Sequence, residues 1–135
     1  MSRSGYSDDV DNWPLIMYRG AVASAINGRR GQEFLKVMLA ALEEMPDKRL
    51  TQASLKDEDG EFCALGVVGN KYGLDLDRLD SEEPEQVAKA FGIAPAMAKE
   101  IVFENDDDFG YFVETPEKRW RRMVSWVRSN IKERS

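Results

Sequence analysis

Three groups of residues in this chain have the types and spacing to do chemistry. The first is Cys63, the single thiol, set in the run Asp59-Gly60-Glu61-Phe62-Cys63-Ala64-Leu65-Gly66-Val67-Val68-Gly69. A thiol at the start of a helix can be activated by the macrodipole. The competing reading, a small buried core residue, carries more weight for a free cysteine. The second group is Arg29 and Arg30, between Gly28 and Gly31. Two arginines ahead of a new helix suit a bound anion, because the first N–H groups of a helix have no partners within it. The spacing matches neither a P-loop nor a dinucleotide fingerprint. The third group is the carboxylates Glu104, Asp106, Asp107 and Asp108. They could hold a divalent cation or serve a carboxylate- and metal-dependent enzyme. A calcium loop with Gly110 at its sixth position would put Phe109 fifth and Pro116 twelfth, where oxygen ligands are needed.

The chain contains no histidine. That removes serine and cysteine triads built on an imidazole, histidine general bases and histidine-ligated metals. One cysteine cannot form an internal disulfide or furnish a structural zinc site, and it fits a reducing compartment. These exclusions lean against an enzyme and imply no cofactor.

With 135 residues, 42% of them hydrophobic, the chain suits one domain with one core. The N-terminus is polar and acidic, without the apolar stretch of a signal peptide, and no run approaches a membrane span. A cytoplasmic protein is expected. The net charge is −6, unevenly spread. Residues 51–114 hold 16 acidic and 5 basic side chains, whereas residues 115–135 hold 2 acidic and 7 basic. A basic C-terminal helix lying against an acidic middle explains this, and an acidic surface that mimics nucleic acid or meets a basic protein partner is the alternative.

The elements that must position these residues are helices. Residues 1–10 are expected to be a flexible tail, with residues 11–135 forming one helical domain of about five or six helices. Asp11 or Asn12 can cap the first helix, with Pro14 in its first turn. Leu15, Tyr18, Val22 and Ile26 recur at helical spacing, and Asn27-Gly28 breaks the helix. Gln32 to Met45 carries a strong apolar stripe and ends at Pro46. Residues 49–63 offer at most a small β-hairpin, turning at Asp59-Gly60. Gly66 and Gly69 share one helix face and would let another part of the chain come close. Gly73 stops that helix. Thr115, Pro116 and Glu117 begin the last helix as cap, first residue and dipole complement. The core should include Phe34, Leu35, Met38, Leu42, Leu65, Val68, Phe91, Ile101, Trp120, Val124 and Val127.

Residues 85–104 fit a helix-turn-helix. Val87, Ala88, Phe91, Ile93, Ala98 and Ile101 occupy its usual core positions, and Pro95, Ala96, Met97, Lys99 and Glu100 would read bases. A DNA-binding regulator follows from that reading. The acidic surroundings argue against nucleic acid, since DNA binding needs phosphate neutralisation. Trp126 stands off the apolar stripe of the last helix and, with Arg119 and Arg122, is the candidate anchor for a protein partner. Packing against the N-terminal segment near Trp13 is its competing role.

The run Phe62-Cys63-Ala64-Leu65-Gly66-Val67 resembles a Cys-x-Leu-Gly-Val signature of small uncharacterised phage and prophage proteins. The likeness continues in the helix from Ile101 to Asn105-Asp106 and in Thr115-Pro116-Glu117-Lys118-Arg119-Trp120, and it spans roughly residues 15–131. It implies an accessory protein in a bacterial host and names no activity. A non-enzymatic protein that binds a host protein, such as a defence factor, is the expected function. A monomer or a homodimer is compatible with the sequence.

Overall fold

A computed structural model describes residues 4–106 and 114–132, with side chains from Pro14 onward. The helices are α1 (Ser4–Asn27), α2 (Arg29–Glu43), α3 (Ala64–Tyr72), α4 (Pro84–Phe91), α5 (Pro95–Asp106) and α6 (Pro116–Asn130), with a 3-10 turn at Leu76–Arg78. The fold class is therefore mainly α, and the described residues contain no strand. The expected hairpin shrinks to one antiparallel bridge, Lys56 to Phe62, closed by Asp57 N–H donating to Glu61 O at 2.8 Å. Gly60 takes φ +81° at the turn, as Asp59-Gly60 predicts. The rest of the segment bends because Ala53 takes φ +70°, a conformation no strand can hold.

α1 begins at Ser4, earlier than a cap at Asp11 or Asn12. Pro14 lies inside it, where its ring forfeits one intrahelical bond. α2 begins at Arg29 rather than Gln32, so both arginines fall in its first turn. The two helices meet at Gly31, where a Cβ would stand 1.9 Å from Ala25 O, and only glycine permits that approach.

The core is one cluster that joins α2, α3, α4, α5 and α6 through Leu35, Met38, Leu65, Val87, Ile101 and Met123. Every expected core residue is buried except Trp120. That side chain is half-buried because its Nε1 donates to Leu42 O at 3.0 Å at the edge of α2. Gln32, which sequence periodicity did not single out, is buried and bridges three elements. Its Nε2 donates to Ile26 O (2.8 Å) and Asn130 O (2.9 Å), and its Oε1 accepts from Lys132 N–H (2.7 Å).

The two glycines of α3 perform as their spacing predicts. A Cβ on Gly66 would lie 1.9 Å from Leu55 O, and one on Gly69 would lie 2.6 Å from Leu76 Cδ2. Backbone cannot yield to such an overlap as a side chain tip can. Gly66→Ala should therefore destabilise the fold by about 3 kcal/mol or more, read as a lower urea midpoint at unchanged slope.

Candidate functional site

Two places concentrate functional side chains: a buried polar joint at the start of α3, and an apolar groove beside α1. The joint is where the separate motifs meet. Asn105, at the end of α5, is 1% exposed. Its Oδ1 accepts from Ala64 N–H at 3.0 Å, satisfying a first-turn donor of α3. Its Nδ2 donates to Thr51 O (2.9 Å) and to Asp106 Oδ1 (2.9 Å). Asp106 Oδ1 also accepts from the strained Ala53 N–H at 3.1 Å. Cys63 caps the same helix, its Sγ accepting from Gly66 N–H at 3.4 Å.

Cys63 is not poised for attack. Its side chain is buried, and desolvation pushes the thiol up to about 12, with the Asp106 charge adding to the rise. The amide bond to Sγ works in the other direction and is outweighed. Cys63 is thus a small buried core residue. Asp106 is engaged with the loop backbone, and Asp107 and Asp108 lie outside the described residues. Among the described residues no three acidic or thiol groups converge on a point that could hold a metal ion. Arg29 and Arg30 are both exposed, and Arg29 Nε lies 3.4 Å from Glu33 Oε1.

Arg119 and Arg122 are internal ties rather than a surface pair flanking Trp126. Arg119 is 4% exposed. It donates to Leu50 O (3.0 Å) and Gln52 Oε1 (2.8 Å), with its Nε 3.4 Å from Glu114 Oε1. Arg122 grips Glu114 with two bonds, of 2.7 and 2.9 Å. It also donates to Glu104 O and to Asn105 O, the last carbonyls of α5, where a cation complements the helix dipole. Helical spacing puts Arg122 opposite the apolar stripe and Arg119 at its border, one turn before Met123. It cannot foresee that residues 49–52 and the end of α5 cover that side.

α4 and α5 join through Gly92 at φ +72°, and the expected core positions of the helix pair are all buried. Three of the five base-reading positions are engaged within the fold, however. Met97 is fully buried, and Lys99 Nζ sits 4.9 Å over the Tyr18 ring. Tyr18 Oη donates to Glu100 Oε1 at 3.1 Å. α1 therefore lies across the face of α5 that would enter a major groove.

The groove is formed by α1, α5 and α6. It has a volume of about 650 Å³, and Leu15, Val22, Phe103 and Trp126 furnish its apolar walls. Leu15 (48%) and Phe103 (54%) are exposed, while Trp126 is half-buried against the core. Tyr18 stands in the groove, its hydroxyl pushed up to about 12 by desolvation and then by Glu100. A smaller recess of about 350 Å³ lies between α2 and α3. Its rim charges already pair with one another: Lys71 with Glu44 at 2.8 Å, and Arg49 with Glu61 at 3.1 Å.

Comparison of the chain with protein-family models, with curated proteins and with solved structures finds no match.

Two outcomes follow from the joint. Asn105→Ala strands Ala64 N–H and Thr51 O in the interior and should cost about 2–4 kcal/mol in urea unfolding. Glu114 is 13% exposed, and hydrogen bonds from Arg122 hold its carboxyl below the usual carboxylate range. Its folded value lies below its unfolded one. Its contribution is therefore complete above the ordinary carboxylate range and is lost as pH falls through the depressed value. Glu114→Gln should be less stable than the parent at neutral pH. The gap between their urea midpoints should narrow as pH falls below the ordinary carboxylate range and through the depressed value.

Proposed function

We propose that this chain is a protein-binding module without catalytic activity. In this reading it is an accessory protein of the phage or prophage kind, acting in the cytoplasm of a bacterial host by binding and inhibiting a host protein. The groove between α1, α5 and α6 carries the proposal. It presents an aromatic and aliphatic lining, open at Leu15 and Phe103, with Trp126 forming one wall. An amphipathic helix of a partner is the element that such a groove between helices receives. Trp126 suits an anchor because its indole is already held against the core and loses little freedom on binding.

The reading is supported from the chemical side by the fate of the reactive candidates. The one thiol serves as a helix cap and Asp106 holds a loop. Arg119 and Arg122 are used within the fold.

Affinity capture from a host lysate, followed by reconstitution with the purified partner, tests the proposal. Trp126→Ala and Phe103→Asp should each weaken the reconstituted complex by about 2 kcal/mol, a factor of roughly 30. Phe103 is exposed, so its replacement leaves the fold intact. A partner retained at full affinity by both variants, or turnover of a substrate by the purified chain, overturns the reading.

A further inference from the structure

We propose that the outward face of α6 docks on the phosphate backbone of double-stranded nucleic acid without reading its bases. The face lies on a different side of α6 from Trp126 and Asn130, which line the groove, and is independent of it.

Residues 115–135 hold 7 basic and 2 acidic side chains. Two of the basic ones, Arg119 and Arg122, turn inward on Leu50 O, Glu114 and the end of α5. The acidic middle of the chain does not absorb the rest. Arg128 pairs instead with Glu43 of α2, at 2.6 Å. Lys118 acts on Glu114 through its charge alone. Lys118, Arg121 and Lys132 form no ion pair among the described residues.

Every exposed position from Lys118 to Lys132 is Lys, Arg or Ser. Lys118, Arg121, Ser125, Arg128 and Lys132 recur at steps of three and four, so they share one stripe. Lys118 to Arg128 cover about 15 Å of helix axis, and Lys132 lies just past the helix end. Its backbone N–H is held by Gln32 Oε1 at 2.7 Å. Lys36 of α2 is exposed on the same side of that helix as Gln32 and Glu43, both bonded to α6, and adds a cation at the border. Between Arg121 and Arg128 the small Ser125 helps to form a shallow recess of about 510 Å³, lined also by Trp120 and Val124. Ser125 Oγ makes no hydrogen bond among the described residues. Two guanidinium groups two turns apart, with a hydroxyl between them, are donors that phosphate oxygens take.

The composition of the face selects its occupant. A protein interface centres on apolar or aromatic anchors, and the exposed side chains here are cations and hydroxyls. A helix lying in a membrane surface inserts an apolar face, and that of α6 is spent on the core through Met123, Val124 and Val127. A single strand needs aromatic platforms for its bases. Trp120 is half-buried, with Lys48 Nζ 5.2 Å from its ring centroid. A rigid row of cations finds its complement in a duplex backbone, which presents about one negative charge per 1.7 Å of axis. The net charge of −6 opposes approach, but screening confines that repulsion to about 8 Å at physiological salt.

Fluorescence anisotropy of the full chain with a labelled DNA duplex of arbitrary sequence, titrated between about 50 and 200 mM salt, tests the docking. The dissociation constant should rise with salt concentration to a power of about 3–4, as four phosphate contacts require. Arg121→Gln should lower that power by about one. Arg121→Glu combined with Lys132→Glu should weaken binding by about 100-fold or more at the lowest salt. Helicity by circular dichroism should persist in both variants, because the replaced side chains are exposed. A duplex of different sequence should bind equally well. Absence of binding at the lowest salt, a salt dependence unchanged by Arg121→Gln, or full affinity in the double variant overturns the proposal. So does tighter binding, at equal charge, to polyglutamate, to phosphatidylserine vesicles or to a single strand.

Discussion

The segment from Glu44 to Cys63 runs between α2 and α3 without a strand or helix of its own, yet it enters the core. Leu50 is 0% and Leu55 is 2% exposed. Burying their side chains drags polar backbone with them, and a buried peptide group without a partner costs as much as a lost hydrogen bond. No sheet among the described residues provides partners for this segment. The need is met by side chains and carbonyls from distant parts of the chain. Asn105 takes Thr51 O, Asp106 takes Ala53 N–H, Arg119 takes Leu50 O, and Pro116 O takes Leu50 N–H. The ends of α5 and α6 are therefore set by what this segment demands, and the groove beside α1 inherits its shape from those helices.

Much of the helical frame was legible in the chain. Apolar periodicity located α2, α4, α5 and α6, and Gly73 and Gly92 marked two helix ends by taking positive φ. The glycine pair of α3 correctly announced a close approach, though not that Leu55 O would be what approaches. Other features lay beyond local reading. The bonds from Asn105 and Arg119 span 41 to 69 residues, and no spacing rule links positions so far apart. Pro14 predicts a first turn because proline is commonest there, and here the helix continues through it. The candidate site was half legible. Trp126 and Leu15 border the groove, but the arginines named with Trp126 turned out to hold the loop.

Three short motifs acquire a physical meaning from this arrangement. Cys63 and Ala64 begin α3, and Asn105 reaches across to satisfy Ala64 N–H. Thr115 caps α6 by accepting from Lys118 N–H, and the next residue, Pro116, receives Leu50 N–H. Three short motifs, scattered in sequence, are parts of one buried joint. Their residues fasten the scaffold, and the exposed walls of the groove lie apart from them.

The same joint bears on the order of events during folding. α4 and α5 are joined by a three-residue turn and can meet early, since closing a short loop costs little entropy. Leu50 O has no such local option. It must wait for Arg119, which lies 69 residues further along the chain. On a ribosome, this means that Leu50 emerges with its backbone groups still hydrated, well before the helix that will engage them exists. Leu55 O finds Cys63 N–H nearby and Thr51 O waits for Asn105, so the segment closes in stages, and Leu50 is the last to be covered, when α6 docks.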